Sequence, residues 1–412
     1  MHRDHDGAGG RLRRDAPQVR SEVHPPMLDR RRWLKVSATA LAGGWAGACA
    51  SAPTGRLDVP PPWTPLQPVR VSRDRVIRVV AGLRPYRAEG FVVRAERLAG
   101  KLLVHNYGHG GGGVTLSWGT AEMAADLVTY GGREGDVAVI GAGAVGLATA
   151  RLLQRRGRRV TIYARDLPPD TTSNIAGAQW SPSTVSDNLN GPFGHRYERA
   201  ARLAYRHFQN LVGAGNGVRW IDNYFPRERP PGSGGYSRIR DLFPEGETLE
   251  GDEHPFPTRF VRRVATMFIE PHRYLQAVLT DFRIAGGEVV VGEIADLAQL
   301  AALDEAVIVN CTGLGARELF GDESLVPIKG QLVVLRPQPG IDYLTVGGGR
   351  FSTRGSQYMF PRSDGILLGG TYQRGVETLE PDPGETERIL ADHGAFFRAM
   401  EGKVGSPPVA GA

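Results

Sequence analysis

Asp136-Val137-Ala138-Val139-Ile140-Gly141-Ala142-Gly143-Ala144-Val145-Gly146 is the stretch that decides the fold. Its first five residues are mostly β-branched and read as a buried strand, and a GxGxxG turn follows directly. Leu147 to Arg156 carries apolar residues at helical spacing and is closed by Gly157, and Arg159-Val160-Thr161-Ile162-Tyr163 reads as a second strand. Strand, glycine turn, helix and strand thus fall within about 30 residues, the span of a βαβ unit. Gly141 permits the tight turn, Gly143 lets a pyrophosphate approach the backbone, and Gly146 lets the helix pack on the strand. Ala142 and Val145 complete the turn, and the helix N-terminus offers unpaired N–H groups to the phosphates.

The motif does not choose among dinucleotides. A carboxylate at the end of the second strand would hold a ribose hydroxyl, whereas an arginine there would hold a 2′-phosphate. Ala164 and Arg165 occupy that end, with Asp166 just beyond, so a nicotinamide cofactor with a 2′-phosphate stays open on these residues alone.

Working outward, the chain has 412 residues, 41% hydrophobic and 23% charged, with 55 Gly and 29 Pro, enough for one interleaved fold or two modest domains. The formal charge is +6, but residues 1–35 hold nine Arg or Lys against five Asp or Glu, so most of the excess sits there. A basic nucleic-acid face is not required. Two cysteines, Cys49 and Cys311, exclude a disulfide framework or a cysteine-based zinc site, and the ten histidines are scattered without ligand spacing, so no metal is expected.

Residues 1–26 are rich in Arg, Asp and Gly without apolar periodicity, and read as disordered or as an over-extended gene start, with Met27 a candidate initiator. Arg30-Arg31-Arg32-Trp33-Leu34-Lys35 precedes a short apolar run, Val36 to Ala48, too short for a bilayer that needs roughly 20 residues. The layout resembles a twin-arginine (Tat) export leader, which makes the export machinery an expected partner and a periplasmic or cell-envelope location the expectation. Cys49 is a candidate for a lipid anchor, although Ala46 stands three residues before it where Leu is preferred. Residues 53–74, with six prolines among 53–68, read as an extended linker after the leader of residues 1–52.

Further motifs bear on the cofactor. Tyr163-Ala164-Arg165-Asp166-Leu167-Pro168, followed by Thr171-Thr172-Ser173-Asn174-Ile175-Ala176-Gly177-Ala178-Gln179-Trp180, resembles the second-strand and flavin-loop segment of D-amino-acid oxidases. Val307-Ile308-Val309-Asn310-Cys311-Thr312-Gly313 resembles the strand that closes their FAD-binding sheet, and Lys329-Gly330-Gln331 the loop after it. His105-Asn106-Tyr107-Gly108-His109-Gly110-Gly111-Gly112-Gly113-Val114-Thr115-Leu116-Ser117-Trp118-Gly119 resembles the family's C-terminal signature, yet here it precedes the GxGxxG. Read circularly, the resemblance spans residues 75 to about 395, and a circular permutation is the simplest account. Gly131-Gly132-Arg133-Glu134-Gly135 would join the old ends, and the new ends would open between the helix Glu385–Met400 and Arg75.

The resemblance implies an α/β enzyme that uses FAD to oxidise D-amino acids, giving a 2-oxo acid, ammonia and hydrogen peroxide. The implied fold is a Rossmann-like parallel FAD sheet from residues 75–182 and 285–335. A discontinuous mixed-sheet substrate domain would come from 183–284 and 336–395, with a flexible tail at 396–412. Arg84, in Gly82-Leu83-Arg84-Pro85-Tyr86-Arg87, matches the arginine that grips the substrate carboxylate, and Tyr358 matches a tyrosine that adds a second hydrogen bond. Gly111 would present its carbonyl to the substrate amine, where a side chain would obstruct the flavin face. Many members carry a tyrosine four residues before Tyr358, where this chain has Arg354, a few residues after Gly347-Gly348-Gly349. Arg354 is therefore expected to pair with a second carboxylate and to favour D-aspartate or D-glutamate.

For the cofactor, the resemblance adds Arg165 and Asp166 at the adenosine end, Thr171, Thr172, Ser173, Ala178 and Gln179 near the phosphates and flavin, and the backbone of Ile294 at the adenine. Gly110, Gly113, Val114 and Thr115 would bring a helix N-terminus to the flavin pyrimidine. His105 and His109 are assigned to packing. An NADPH-dependent reductase, or a non-catalytic exported flavoprotein, would use the same turn.

Overall fold

Val69, inside the expected linker, is 1% exposed, and Arg70 exchanges backbone hydrogen bonds with the Gln338 side chain at 2.8 and 3.0 Å. The computed structural model describes residues 66–177, 179–213, 215–230, 237–354 and 357–404, so the leader, Cys49 and most of the proline stretch lie outside the described residues. Residues from 66 onward pack against the body of the protein, which ends the linker earlier than position 74.

The chain opens with β1 (Val76–Tyr86), the hairpin β2 (Val92–Leu98) and β3 (Lys101–Tyr107), and helix α1 (Gly113–Tyr130). The βαβ unit follows as β4 (Val137–Ile140), α2 (Ala144–Arg155) and β5 (Val160–Ala164). Next come the one-turn helix α3 (Thr172–Ile175), α4 (Phe193–Leu211), β6 (Val218–Arg227), β7 (Glu247–Glu250), β8 (Phe260–Ile269) and α5 (Pro271–Ile284). They lead to β9 (Glu288–Val291), α6 (Leu297–Ala302), β10 (Val307–Asn310) and α7 (Gly315–Phe320). The chain then forms β11 (Val326–Leu335), β12 (Leu344–Val346), β13 (Tyr358–Arg362), β14 (Gly365–Gly369), β15 (Gln373–Arg374) and α8 (Pro383–Val404).

A six-stranded sheet runs β2-β3-β10-β4-β5-β9 and is parallel except for the hairpin partner β2. Every residue of β4 and β10 is buried, as parallel strands covered on both faces require. One face packs on α1 and α2, with α4 and α5 outside them, and the other carries Leu300 of α6 and Leu319 of α7. The carboxyl ends of β3, β4, β5 and β10 therefore open into adjacent loops, the crevice where doubly wound sheets bind ligands.

The second sheet runs β1-β11-β14-β13-β12-β6-β8-β7, with β15 against β11. Here the expected partition shifts. β1 and β11 pair antiparallel from Val76↔Leu335 to Tyr86↔Val326 and belong to this sheet, not to the parallel one. The cause is β11, buried at nine of its ten positions and paired with β1 on one side and β14 on the other, which only a sheet interior can satisfy. The expected tail also changes: α8 runs to Val404 and buries Phe396, Phe397 and Met400 in the core beneath this sheet.

Candidate active site

The glycine motif folds as its spacing demands. Gly141 has φ of +108°, and a β-carbon there would sit 2.6 Å from the Cys311 carbonyl oxygen; one at Gly146 would run into the Gly141 carbonyl. No side chain caps α2 at Gly143, and the Ala144 N–H is taken by Ser173 Oγ at 3.0 Å. Ser173 thus meets the phosphate turn from α3, 29 residues along the chain. The α2 N-terminus, Gly143 and the Ser173 hydroxyl that meets the Ala144 N–H make a cradle that fits a pyrophosphate. Arg165 pairs with Asp166 at 3.0 Å and Glu293 at 3.4 Å. A guanidinium already held by two carboxylates is poorly placed to receive a 2′-phosphate, and the carboxylates themselves suit ribose hydroxyls.

Arg84 and Tyr358 converge although β11 and β14 lie between their strands. Arg84 opposes Ile328, so its side chain shares a face with Gly330, two residues along β11. A β-carbon at Gly330 would run into the Arg84 guanidinium, and one at Gly369 or Gly370 would stand 2.6 Å from the Tyr358 hydroxyl. Glycines on the two intervening strands therefore clear the path, and the Arg84 guanidinium is near enough to the Tyr358 phenol to act on its pKa. Burial raises the Tyr358 pKa and the Arg84 charge offsets part of that rise, so the phenol keeps its proton at neutral pH. Arg84 Nη1 is buried without a partner. A planar donor with a free N–H beside a neutral phenol O–H has the chemistry to bind a carboxylate.

Lys329 and Gln331, flanking Gly330, point to the other face. Lys329 Nζ donates to the Glu380 carbonyl at 2.5 Å, and Gln331 Nε2 donates to the Asp382 carbonyl and Thr386 Oγ1 at 2.9 Å each, anchoring the start of α8.

β13 ties Arg84 and Tyr358 to the loop at 174–177. Alternation puts Tyr358, Phe360 and Arg362 on one face. Phe360 stacks on Tyr358 with centroids 4.9 Å apart, and Gly177 packs directly on the Phe360 ring. Arg362, its side chain 4% exposed, donates to the carbonyls of Asn174 at 2.9 Å and Ala176 at 3.1 Å and is held by Asp364 at 2.7 Å. Ile175 covers Gly82 near Arg84. Sequence reasoning assigned no role to Arg362; the period-two spacing from Tyr358 was the available signal.

Other expected residues fall as follows. Gly110, with φ of +56°, and Gly111 lie under Ser183–Val185: Gly111 N donates to the Thr184 carbonyl at 3.0 Å, and a β-carbon at Gly111 would meet the Ser183 carbonyl oxygen at 2.8 Å. The passing 183–185 backbone by itself requires glycine at 111. Gly113, Val114 and Thr115 open α1, with Thr115 Oγ1 donating to the Gly112 carbonyl at 3.2 Å. Ala142 is buried and Val145 half-buried within the α2 turn.

Thr171 is buried and its hydroxyl donates to Asn174 Oδ1 at 2.8 Å, so it organises α3 from within, while Thr172 is exposed. Gln179 accepts from Asn223 and bridges Phe268, and Ala178 lies outside the described residues. The Ile294 side chain packs with Ile140 and Tyr163 beneath the sheet. Arg354 is 79% exposed, 3.9 Å from Glu385 Oε1, so it faces solvent and an internal carboxylate.

Both assigned histidines are packed. His105 bonds Glu96 and Asn310 at 3.1 Å each, and His109 bonds Thr120 Oγ1 at 2.9 Å, its pKa pushed down to about 3 by burial. Cys311 is buried and its thiol pushed up to about 12, so it is inert as a nucleophile. Among the described residues no three His, Cys, Asp or Glu side chains gather as metal ligands.

The chain matches the family described as FAD dependent oxidoreductase (DAO) over residues 64–127 and 136–410. A D-amino-acid oxidase from Streptomyces coelicolor is 32% identical over 252 residues, covering 61% of this chain and 74% of the relative. A D-aspartate oxidase from Homo sapiens is 29% identical over 277 residues, covering 65% and 77%. Among solved structures, a glycine oxidase from Bacillus cereus ATCC 14579 shares 16% identity with a TM-score of 0.47, covering 65% of this chain and 80% of that one.

Proposed function

The chain belongs to the FAD dependent oxidoreductase (DAO) family, and on that premise we propose that it is an FAD enzyme oxidising D-amino acids to 2-oxo acids. The observation that carries the substrate class is the convergence of Arg84 and Tyr358, with one buried guanidinium N–H unpaired. Arg84 takes the substrate carboxylate through parallel N–H donors, and Tyr358 adds its O–H. FAD, when bound, supplies the two-electron acceptor; the imino acid released hydrolyses to the 2-oxo acid and ammonia, and oxygen leaves as hydrogen peroxide. The Gly141–Gly146 turn, the α2 N-terminus and Ser173 would hold the pyrophosphate, and Asp166 with Glu293 the adenosine end. Arg362 keeps the loop at 174–177 docked on β13, so the groups that orient substrate and cofactor belong to one rigid assembly.

Arg354 directs the preference toward acidic substrates by offering a charge to a second carboxylate. The loop position and exposure that leave it accessible support this, as does its weak hold on Glu385. The order of the motifs is that of a circular permutation. The family match breaks between residues 127 and 136, across the Gly131–Gly135 joint. Leu66, Val69 and Val71 share an apolar cluster with Phe396, Phe397 and Met400, where newly opened ends would lie together. Export by a twin-arginine leader completes the proposal, since that route carries folded proteins with cofactor already bound.

The test is an absorbance spectrum of purified protein followed by anaerobic titration with D-alanine, D-aspartate, D-glutamate, glycine and sarcosine. A flavin spectrum that bleaches with D-amino acids in wild type and not in Arg84→Ala is the expected result. A colourless protein, or a flavin unresponsive to every amino acid, refutes the activity.

A further inference from the structure

The Tyr358 hydroxyl rests against the Gly369–Gly370 turn, where β-carbons would stand 2.6 Å away. Gly369 ends β14 opposite Leu332 and Tyr358, and the chain leaves the ladder at Gly370, so beyond strand pairing the place of the glycine pair depends on what holds its carbonyls. Both of its carbonyls are taken by one element, α8. His393 Nε2 donates to the Gly369 oxygen at 2.9 Å, and Arg388 Nη2 donates to the Gly370 oxygen at 3.1 Å. His393 is fully buried, and desolvation pushes its pKa down to about 4, so the ring is neutral at physiological pH and its single proton belongs on Nε2 to meet the carbonyl. Arg388 is pinned on its own helix by Glu385 at 2.7 Å and Asp392 at 3.1 Å. Asp392 in turn accepts the Thr353 hydroxyl at 2.8 Å and its N–H at 3.2 Å, beside Arg354.

We propose that Arg388 and His393 are positioning residues for the substrate carboxylate: by holding the two glycine carbonyls from behind, they fix where the Tyr358 hydroxyl stands relative to Arg84. This rests on the Arg84–Tyr358 pair binding the carboxylate, as proposed above. Neither residue touches substrate. They act through a turn that has no side chains of its own, and a misplacement of about 1 Å at such a site can cost on the order of a hundredfold.

The experiment uses the FAD-loaded full chain and reads three quantities: flavin content, the Kd for acetate from perturbation of the flavin spectrum, and KM and kcat for D-alanine and D-aspartate. Arg388→Ala and His393→Leu should each weaken acetate and raise KM by about tenfold or more, with flavin content kept and kcat reduced less. His393→Gln, which can return an N–H to the Gly369 carbonyl, should recover most of the acetate affinity; a purely structural role would not distinguish Gln from Leu. If His393→Leu fails to fold, Arg388→Ala and Arg388→Lys decide. Unchanged acetate affinity in the Arg388 and His393 variants, beside a loss in Arg84→Ala, overturns the positioning role alone. Unchanged affinity in Arg84→Ala overturns the carboxylate receptor, and the positioning role with it.

Discussion

The Arg84 guanidinium lies directly over Gly330, so that the arginine of one strand occupies the volume a side chain would fill on the next. Gly330→Ala should therefore act as an active-site mutation. The methyl would displace the guanidinium from Tyr358, raising KM for D-amino acids by roughly tenfold to a hundredfold, while thermal unfolding and flavin content change little. Steady-state kinetics beside a melting curve check this. A variant with unaltered KM would mean that Arg84 works in another position.

Tyr358→Phe removes one neutral donor from the carboxylate and leaves the Arg84 charge in place. The expected loss is about fivefold to twentyfold in kcat/KM, carried mainly by KM. Arg84→Ala should be far more severe, since it removes the charge and both parallel donors. Equal losses in the two variants would contradict this division of roles.

Arg362 satisfies two carbonyls of the cofactor loop and pairs with Asp364 in a nearly dry setting. Arg362→Met leaves those carbonyls and the carboxylate without their donor, so stability should fall by about 2–4 kcal/mol. FAD should dissociate more readily, because the segment carrying Ser173 loses its tether. Denaturant unfolding, and flavin release on dialysis, would show it.

Glu385 Oε1 stands 3.9 Å from Arg354 Nη1, so it competes for the charge that the proposed acidic preference gives to a second substrate carboxylate. Glu385→Gln should raise the D-aspartate to D-alanine ratio of kcat/KM by severalfold, and Arg354→Ala should lower it, both effects shrinking in high salt because the arginine is exposed. A ratio strongly favouring D-alanine and indifferent to Arg354→Ala removes the acidic preference.

His109 and His393 are held neutral by burial, with folded pKa values of about 3 and about 4. Between those values and the ordinary value near 6.5 the unfolded chain binds the extra proton, so stability rises with pH there and is lost as pH falls. Each group should contribute a slope of about one proton near pH 5, on the order of 1.4 kcal/mol per pH unit, and almost none above pH 7. Denaturation at pH 5 and pH 7 measures the slope, and His109→Gln should reduce it by about one proton.

The helix α8 shows how the tertiary fold can hide a role. Its apolar spacing and its start near Glu385 were legible, yet nothing local to Arg388 or His393 points to the turn 18 and 24 residues earlier. The boundary between the sheets is hidden from the sequence for a similar reason. The β1 and β11 segments read as strands, but strand partners depend on register against distant segments rather than on composition.

What the sequence alone determined is local in origin: the Gly141–Gly146 turn between β4 and α2, the helix after it, and the family resemblance carried by short motifs. Such features depend on φ/ψ limits and side-chain periodicity within a few residues, which a linear pattern expresses. Only the tertiary structure decided that Gly330 and the Gly369–Gly370 turn open a channel between Arg84 and Tyr358, and that Ser173 meets the α2 N-terminus. It also decided that Arg362 locks the cofactor loop to β13, and that residues 66–71 and α8 close one core. Those relations join atoms far apart in sequence, and they exist only once burial and strand pairing have brought them within a few ångströms.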